Sequence, residues 1–98
     1  MNTREKAVLD KIVETLAGRL HPKKIILFGS RAKGTFAQGS DFDIALDTAG
    51  PGAQKKREIS EAVENVSGLY GVDIVYLGET DEDFKKIILK TGKVIYEQ

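Results

Sequence analysis

Apolar residues recur over the first twenty positions at the spacing of one helix face: Val8, Ile12, Val13, Leu16 and Leu20. Asn2 with Glu5 three residues on reads as a capping box. His21-Pro22 closes the element, because the residue before a proline is pushed out of helical geometry. A helix is therefore expected over about Thr3 to Arg19. The pattern then shortens. Lys24 to Phe28 is a β-branched and aromatic run ending at Gly29, which predicts a buried strand followed by a short helix from Ser30. Phe42 to Asp47 alternates, with Phe42, Ile44 and Leu46 on one face and Asp41, Asp43, Ala45 and Asp47 on the other. Thr48 to Gly52 is a loop.

Ile59, Ala62, Val63 and Val66 mark an amphipathic helix closed near Gly68. Val72 to Leu77 is apolar on both sides except at Asp73, as a central strand would be. Thr80 is placed to cap a last helix carrying Phe84, Ile87 and Ile88, with Gly92 beyond its end. Lys93 to Tyr96 reads as a short edge strand. The order α-β-α-β-α-β-α-β predicts an α/β (α+β) fold, one small sheet with helices packed on one face, as a single domain over residues 1–98.

Composition narrows the function classes. The 98 residues suffice for one domain, and 41% hydrophobic content for one core. Fifteen basic residues balance fifteen acidic ones, which argues against autonomous nucleic-acid binding. The absence of cysteine excludes disulfides and thiolate metal sites. No apolar run approaches a membrane span and the N-terminus carries no signal-peptide core, so a cytoplasmic location is expected.

The residues with candidate chemistry fall at the ends of the strands. A strand, a tight Gly29-Ser30 turn and a helix start form a phosphate-binding pattern, with Gly29 allowing close backbone approach, Ser30 adding a hydroxyl, and Arg31 and Lys33 adding charge. On its own that pattern more often describes an ordinary serine-capped turn. Residues 29–35 resemble a P-loop but place Thr35 where its lysine is required, which excludes that reading. Asp41 and Asp43 share a strand face with Cα atoms about 6–7 Å apart, a spacing at which two carboxylates can converge on Mg²⁺. The alternative is a solvated strand face. Asp73, inside an apolar strand, is costly to desolvate unless paired or metal-bound. Asp47 reads as strand-end solvation, His21 as structural, and Tyr70, Tyr76 and Tyr96 as packing residues.

Together, Gly29-Ser30, Asp41-Phe42-Asp43 and Asp73, with Gly34, Ser40 and the ending from Ile88 to Tyr96, resemble the minimal nucleotidyltransferase (MNT) family of the DNA polymerase beta superfamily. The resemblance covers nearly the whole chain. It implies a mixed sheet and transfer of a nucleoside monophosphate from a triphosphate, with ATP the expected donor. Asp41, Asp43 and Asp73 would form the catalytic site and hold two Mg²⁺ ions, with Asp73 also helping to activate the acceptor hydroxyl. Gly29 and Ser30 would hold the β- and γ-phosphates, with Arg31, Lys33 and Ser40 beside them. The family also implies a protein partner, a HEPN-domain toxin, whose tyrosine receives AMP while the MNT chain acts as a type VII-like antitoxin. Two rivals stay open: neutralisation of the toxin by contact alone, and transfer to a small molecule or an RNA end.

Overall fold

The computed structural model describes residues 1–36 and 39–98. The elements run α1 (Thr3–Leu20), β1 (Lys24–Phe28), α2 (Gly29–Lys33), β2 (Phe42–Leu46), α3 (Ala53–Ser67), β3 (Val72–Tyr76), α4 (Glu82–Thr91) and β4 (Lys93–Glu97), with one turn of 3₁₀ helix at Leu77–Glu79 after β3. The four strands form one mixed sheet in the order β3-β2-β1-β4. β1 is antiparallel to β2 and β4, whereas β2 and β3 run parallel, the crossover between them being α3.

Local chemistry explains most boundaries. Asn2 and Glu5 form the expected capping box, Asn2 Oδ1 accepting from the Glu5 amide at 2.8 Å and Glu5 Oε1 from the Asn2 amide at 3.0 Å. α1 ends at His21, which takes the left-handed conformation (φ 49°) and donates its amide to the Ala17 carbonyl. The expected cap of α4 moves by one residue. Asp81 Oδ1 accepts from the Phe84 amide at 3.0 Å, while Thr80 Oγ1 donates backward to the Tyr76 carbonyl at 2.8 Å.

Two expectations about the sheet are corrected. The helices lie on both faces. α1 and α3 bury Leu9, Ile12, Leu16, Ile59 and Val63 against Ile25, Leu27, Phe42, Ile44 and Leu46, and on the opposite face Ile88 of α4 packs with Ile26, Ala45 and Leu77. The reason is in β1, which is apolar in both alternations and needs cover on both sides. The second correction concerns β3, which is an edge strand and not a central one. Its Val72 and Ile74 pack on the α1–α3 side and Val75 on the other, while Asp73 is exposed. The apolar run thus records two packed faces, and the desolvation cost argued for Asp73 does not arise there.

A buried ion pair ties the first helix to the sheet. Arg31 of α2 and Glu5 of α1 are each only 3% exposed, and Arg31 Nη1 donates to Glu5 Oε2 at 2.8 Å. The guanidinium also lies 4.2 Å from the Phe42 ring centroid and 4.7 Å from that of Phe36. Hydrogen bonds from the Asn2 amide and from Arg31 hold the Glu5 carboxyl below its ordinary pKa. A depressed carboxyl pKa contributes stability above the unfolded value that is lost as pH falls through the folded one. Glu5→Gln should therefore lower Tm by several degrees at neutral pH. The gap to the wild type should shrink below pH 4.5, the ordinary value for this group, and close once the folded-state carboxyl is protonated. Thermal melts of both proteins across that range test this; a gap independent of pH would contradict it.

Candidate active site

The end of the sheet where β1 finishes and β2 begins gathers the acidic residues. Phe28 pairs with Asp43 across β1 and β2, and Asp43 pairs with Asp73 across β2 and β3. Residues paired across a ladder share a face, so Asp43 and Asp73 stand side by side. Asp41, two residues before Asp43 on an extended chain, projects to the same side. That face is the one α4 packs on, but α4 covers its middle, leaving Asp41 and Asp73 exposed and Asp43 half-buried.

The three carboxyls are electrostatically coupled through Asp43. Its pKa is raised, first by burial, then by the negative charges of Asp73 and Asp41, and by a hydrogen bond to the Asp73 carboxyl. Negative charge is thus concentrated where a proton or another cation would relieve it. All three residues offer hard oxygen donors, the set Mg²⁺ prefers. Among the described residues no three acidic or imidazole side chains are drawn together as a finished metal cage. Mg²⁺ does not need one, since it is held by one or two carboxylates plus water and substrate phosphates.

Two glycines make room for these carboxyls. Gly29 has φ 72°, a backbone conformation that side chains disfavour, and a Cβ there would come within 3.1 Å of the Asp43 carboxyl carbon. A Cβ on Gly71 would come within 2.9 Å of the Asp41 carboxyl carbon. Gly29 was legible in the sequence as a close-approach position. Gly71 was not, because its neighbour Asp41 lies thirty residues away and is brought there by the β2–β3 pairing, with the Phe42 amide donating to the Gly71 carbonyl at 2.9 Å.

Of the expected phosphate-binding residues, Ser30 is half-buried beside Gly29 at the start of α2, and Lys33 is exposed on its last turn. Arg31 is corrected. Its side chain is buried and committed, with Nε and Nη2 donating to the Ser40 carbonyl at 3.0 and 2.7 Å and Nη1 to Glu5. It holds the residue immediately before Asp41 in place and does not face the carboxyl cluster's solvent side. The Ser40 carbonyl is thereby anchored next to Asp41. An open cleft of about 510 Å³ adjoins the cluster along β3, lined by Lys56, Ser60, Val72, Asp73, Ile74 and Tyr76, with Glu79 and Thr80 at its end. No helix among the described residues is long and apolar enough to cross a membrane.

Similarity to known proteins extends over most of the chain. Residues 10–98 match the family described as "Polymerase beta, Nucleotidyltransferase". The chain is 35% identical over 89 residues, 89% of its length and 78% of the relative's, to the "Probable protein adenylyltransferase MntA" of Haemophilus influenzae. Its fold is similar to that in a toxin–antitoxin crystal structure with AMP-PNP, with a TM-score of 0.77 at 24% identity, covering 91% of this chain and 73% of that one. It is also similar to a structure of a tri-AMPylated Shewanella oneidensis HEPN toxin in complex with MNT antitoxin, with a TM-score of 0.73 at 20% identity over 96% of this chain and 73% of that one.

The charge arrangement has a measurable consequence without any nucleotide. A carboxyl whose folded-state pKa is raised destabilises the fold while ionised, and the penalty is relieved as pH falls through that raised value. Asp43→Asn should therefore melt a few degrees above the wild type at neutral pH in metal-free buffer, and the advantage should fade on acidification. A lower melting temperature for Asp43→Asn would mean that the carboxylate is a structural hydrogen-bond acceptor.

Proposed function

The chain belongs to the polymerase beta nucleotidyltransferase family, and we propose that it transfers a nucleoside monophosphate, AMP from ATP, to a hydroxyl side chain of a HEPN-domain toxin, acting as that toxin's antitoxin. The observation that carries this reading is the convergence of Asp41, Asp43 and Asp73 beside the Gly29 backbone at one end of the sheet. The relative from Haemophilus influenzae supports protein as the acceptor and AMP as the group. The toxin complexes of similar fold support the partner.

In this reading Gly29 and Ser30 receive the β- and γ-phosphates, because Gly29, lacking a Cβ of its own, lets both a phosphate and the Asp43 carboxyl lie close to its backbone. Lys33 adds positive charge from the end of α2. Asp41 and Asp43, joined by Asp73, would hold Mg²⁺, which would supply neutralisation of phosphate charge and stabilisation of the attacking and leaving oxygens. The acceptor oxygen attacks the α-phosphorus and forms the new P–O bond. The bond from that phosphorus to the bridging oxygen breaks, and pyrophosphate leaves with the electron pair. The hydroxyl proton passes to Asp73, whose exposed carboxylate is open to the acceptor side. Arg31 contributes by position, fixing the Ser40 carbonyl and with it the entry to Asp41.

Two experiments test this. With ATP and Mg²⁺, the HEPN partner incubated with wild-type chain should gain the mass of one or more nucleoside monophosphates by intact mass spectrometry. Asp43→Asn should cut the rate at least about a hundredfold while Mg²⁺ no longer raises its melting temperature. If the toxin is silenced without a mass change, and equally by the Asp41/Asp43 double variant, neutralisation is by contact alone. Gly29→Val should weaken ATP binding in calorimetry far more than Ser30→Ala, since it both blocks the backbone and displaces the Asp43 carboxyl. Equal affinities in the two variants would rule out the phosphate role.

A further inference from the structure

β3 ends the sheet, and among the described residues its outer side has no partner strand. The direction of its backbone groups follows from the ladder. Because the Phe42 amide donates to the Gly71 carbonyl, alternation along a parallel pair directs the backbone groups of Gly71, Asp73 and Val75 toward β2 and those of Val72, Ile74 and Tyr76 outward. Val72 and Ile74 send their side chains into the α1–α3 core. Their outward main-chain groups border the cleft beside β3, together with those half-buried side chains. At the far end the edge is closed: Thr80 Oγ1 takes the Tyr76 carbonyl, and the Lys56–Glu79 ion pair spans from α3 to the turn after β3. The open stretch is Val72-Asp73-Ile74, and its middle residue is the one whose carboxyl faces Asp43.

We propose that this edge is the acceptor dock: the partner lays an extended segment along β3 as an added strand, pairing with the outward groups of Val72 and Ile74 and so placing its acceptor hydroxyl beside Asp73. The inference rests on the protein-acceptor reading above and specifies how that acceptor binds. Main-chain pairing supplies affinity in such strand addition, and register supplies aim, since residues opposite one another across a ladder have Cβ atoms about 5 Å apart on the same face. A residue opposite Asp73 therefore stands on the carboxyl face of the sheet. An oligonucleotide has phosphates and bases to offer but no matching row of amides and carbonyls, so a polypeptide is the fitting occupant. The cleft's volume of about 510 Å³ and its flank of Lys56 and Ser60 on α3 leave space for such a segment.

The test uses the full chain with its HEPN-domain partner, ATP and Mg²⁺. Ile74→Pro removes one outward amide at a strand edge, where proline is tolerated. Ser60→Arg fills the cleft from an exposed position on α3. Both variants should bind ATP with wild-type affinity in calorimetry, yet transfer to the partner at least tenfold more slowly; if Ile74→Pro does not fold, Ser60→Arg carries the comparison. Hydrogen exchange at the Val72 and Ile74 amides should slow at least tenfold when the partner is added to the wild type. Wild-type transfer rates in the folded variants, with no added protection at those amides, would overturn the dock while leaving the protein-acceptor reading intact. Absence of any protein transfer by the wild type, or transfer only to an oligonucleotide, would overturn both.

Discussion

The guanidinium of Arg31 sits where three segments meet, and the arrangement of the active end follows from it. Its Nη1 reaches the start of α1 through Glu5, its Nε and Nη2 reach the Ser40 carbonyl just before β2, and its own backbone belongs to the helix that follows Gly29. A buried guanidinium is tolerable only when its donors are met and its faces covered. Here Glu5 and Ser40 meet the donors and the rings of Phe36 and Phe42 cover the plane, with Tyr70 at 5.6 Å. The same Glu5 carboxyl that caps α1 neutralises Arg31, so the helix start and the entry to Asp41 are fixed by one group. A lysine could not reproduce this, because it lacks the planar fork that addresses two acceptors at once.

Against that rigid corner the protein sets an unfavourable one. Three carboxyls share the end of the sheet, and the burden falls on Asp43, the half-buried member between the other two. Like charges held together without a counter-ion cost stability, and they persist where a cation or a substrate group is received. The two glycines facing these carboxyls serve the same end, since any side chain at Gly29 or Gly71 would push a carboxyl out of the cluster.

The edge position of β3 joins the site to its surroundings. A strand edge is usually protected, and among the described residues this one is protected at its Tyr76 end, by Thr80 and the Lys56–Glu79 pair. The unprotected portion flanks Asp73. Had β3 been central, Asp73 would be enclosed and the carboxyl cluster would have no open side along the sheet.

The elements and the chemical roster can be read from the order of residue types. Periodicity placed the helices and strands to within a residue or two, because burial of one face requires apolar side chains at the period of the backbone. The Gly29-Ser30 turn, the Asp41-Asp43 pair and Asp73 were legible because their residue types are needed for phosphate and cation chemistry. Tertiary structure alone decided the rest. An apolar strand reads the same whether it is central or at an edge, since side-chain pattern reports packed faces and not hydrogen-bonded neighbours; hence β3 and Asp73 were placed too deep. β1's two apolar faces were in the sequence, but which helix covered the second one was not. An arginine beside a glycine turn carries the same charge whether it meets a phosphate or a buried glutamate, and only the packing of α1 against α2 and β2, which brings Glu5 twenty-six residues to Arg31, settled its partner.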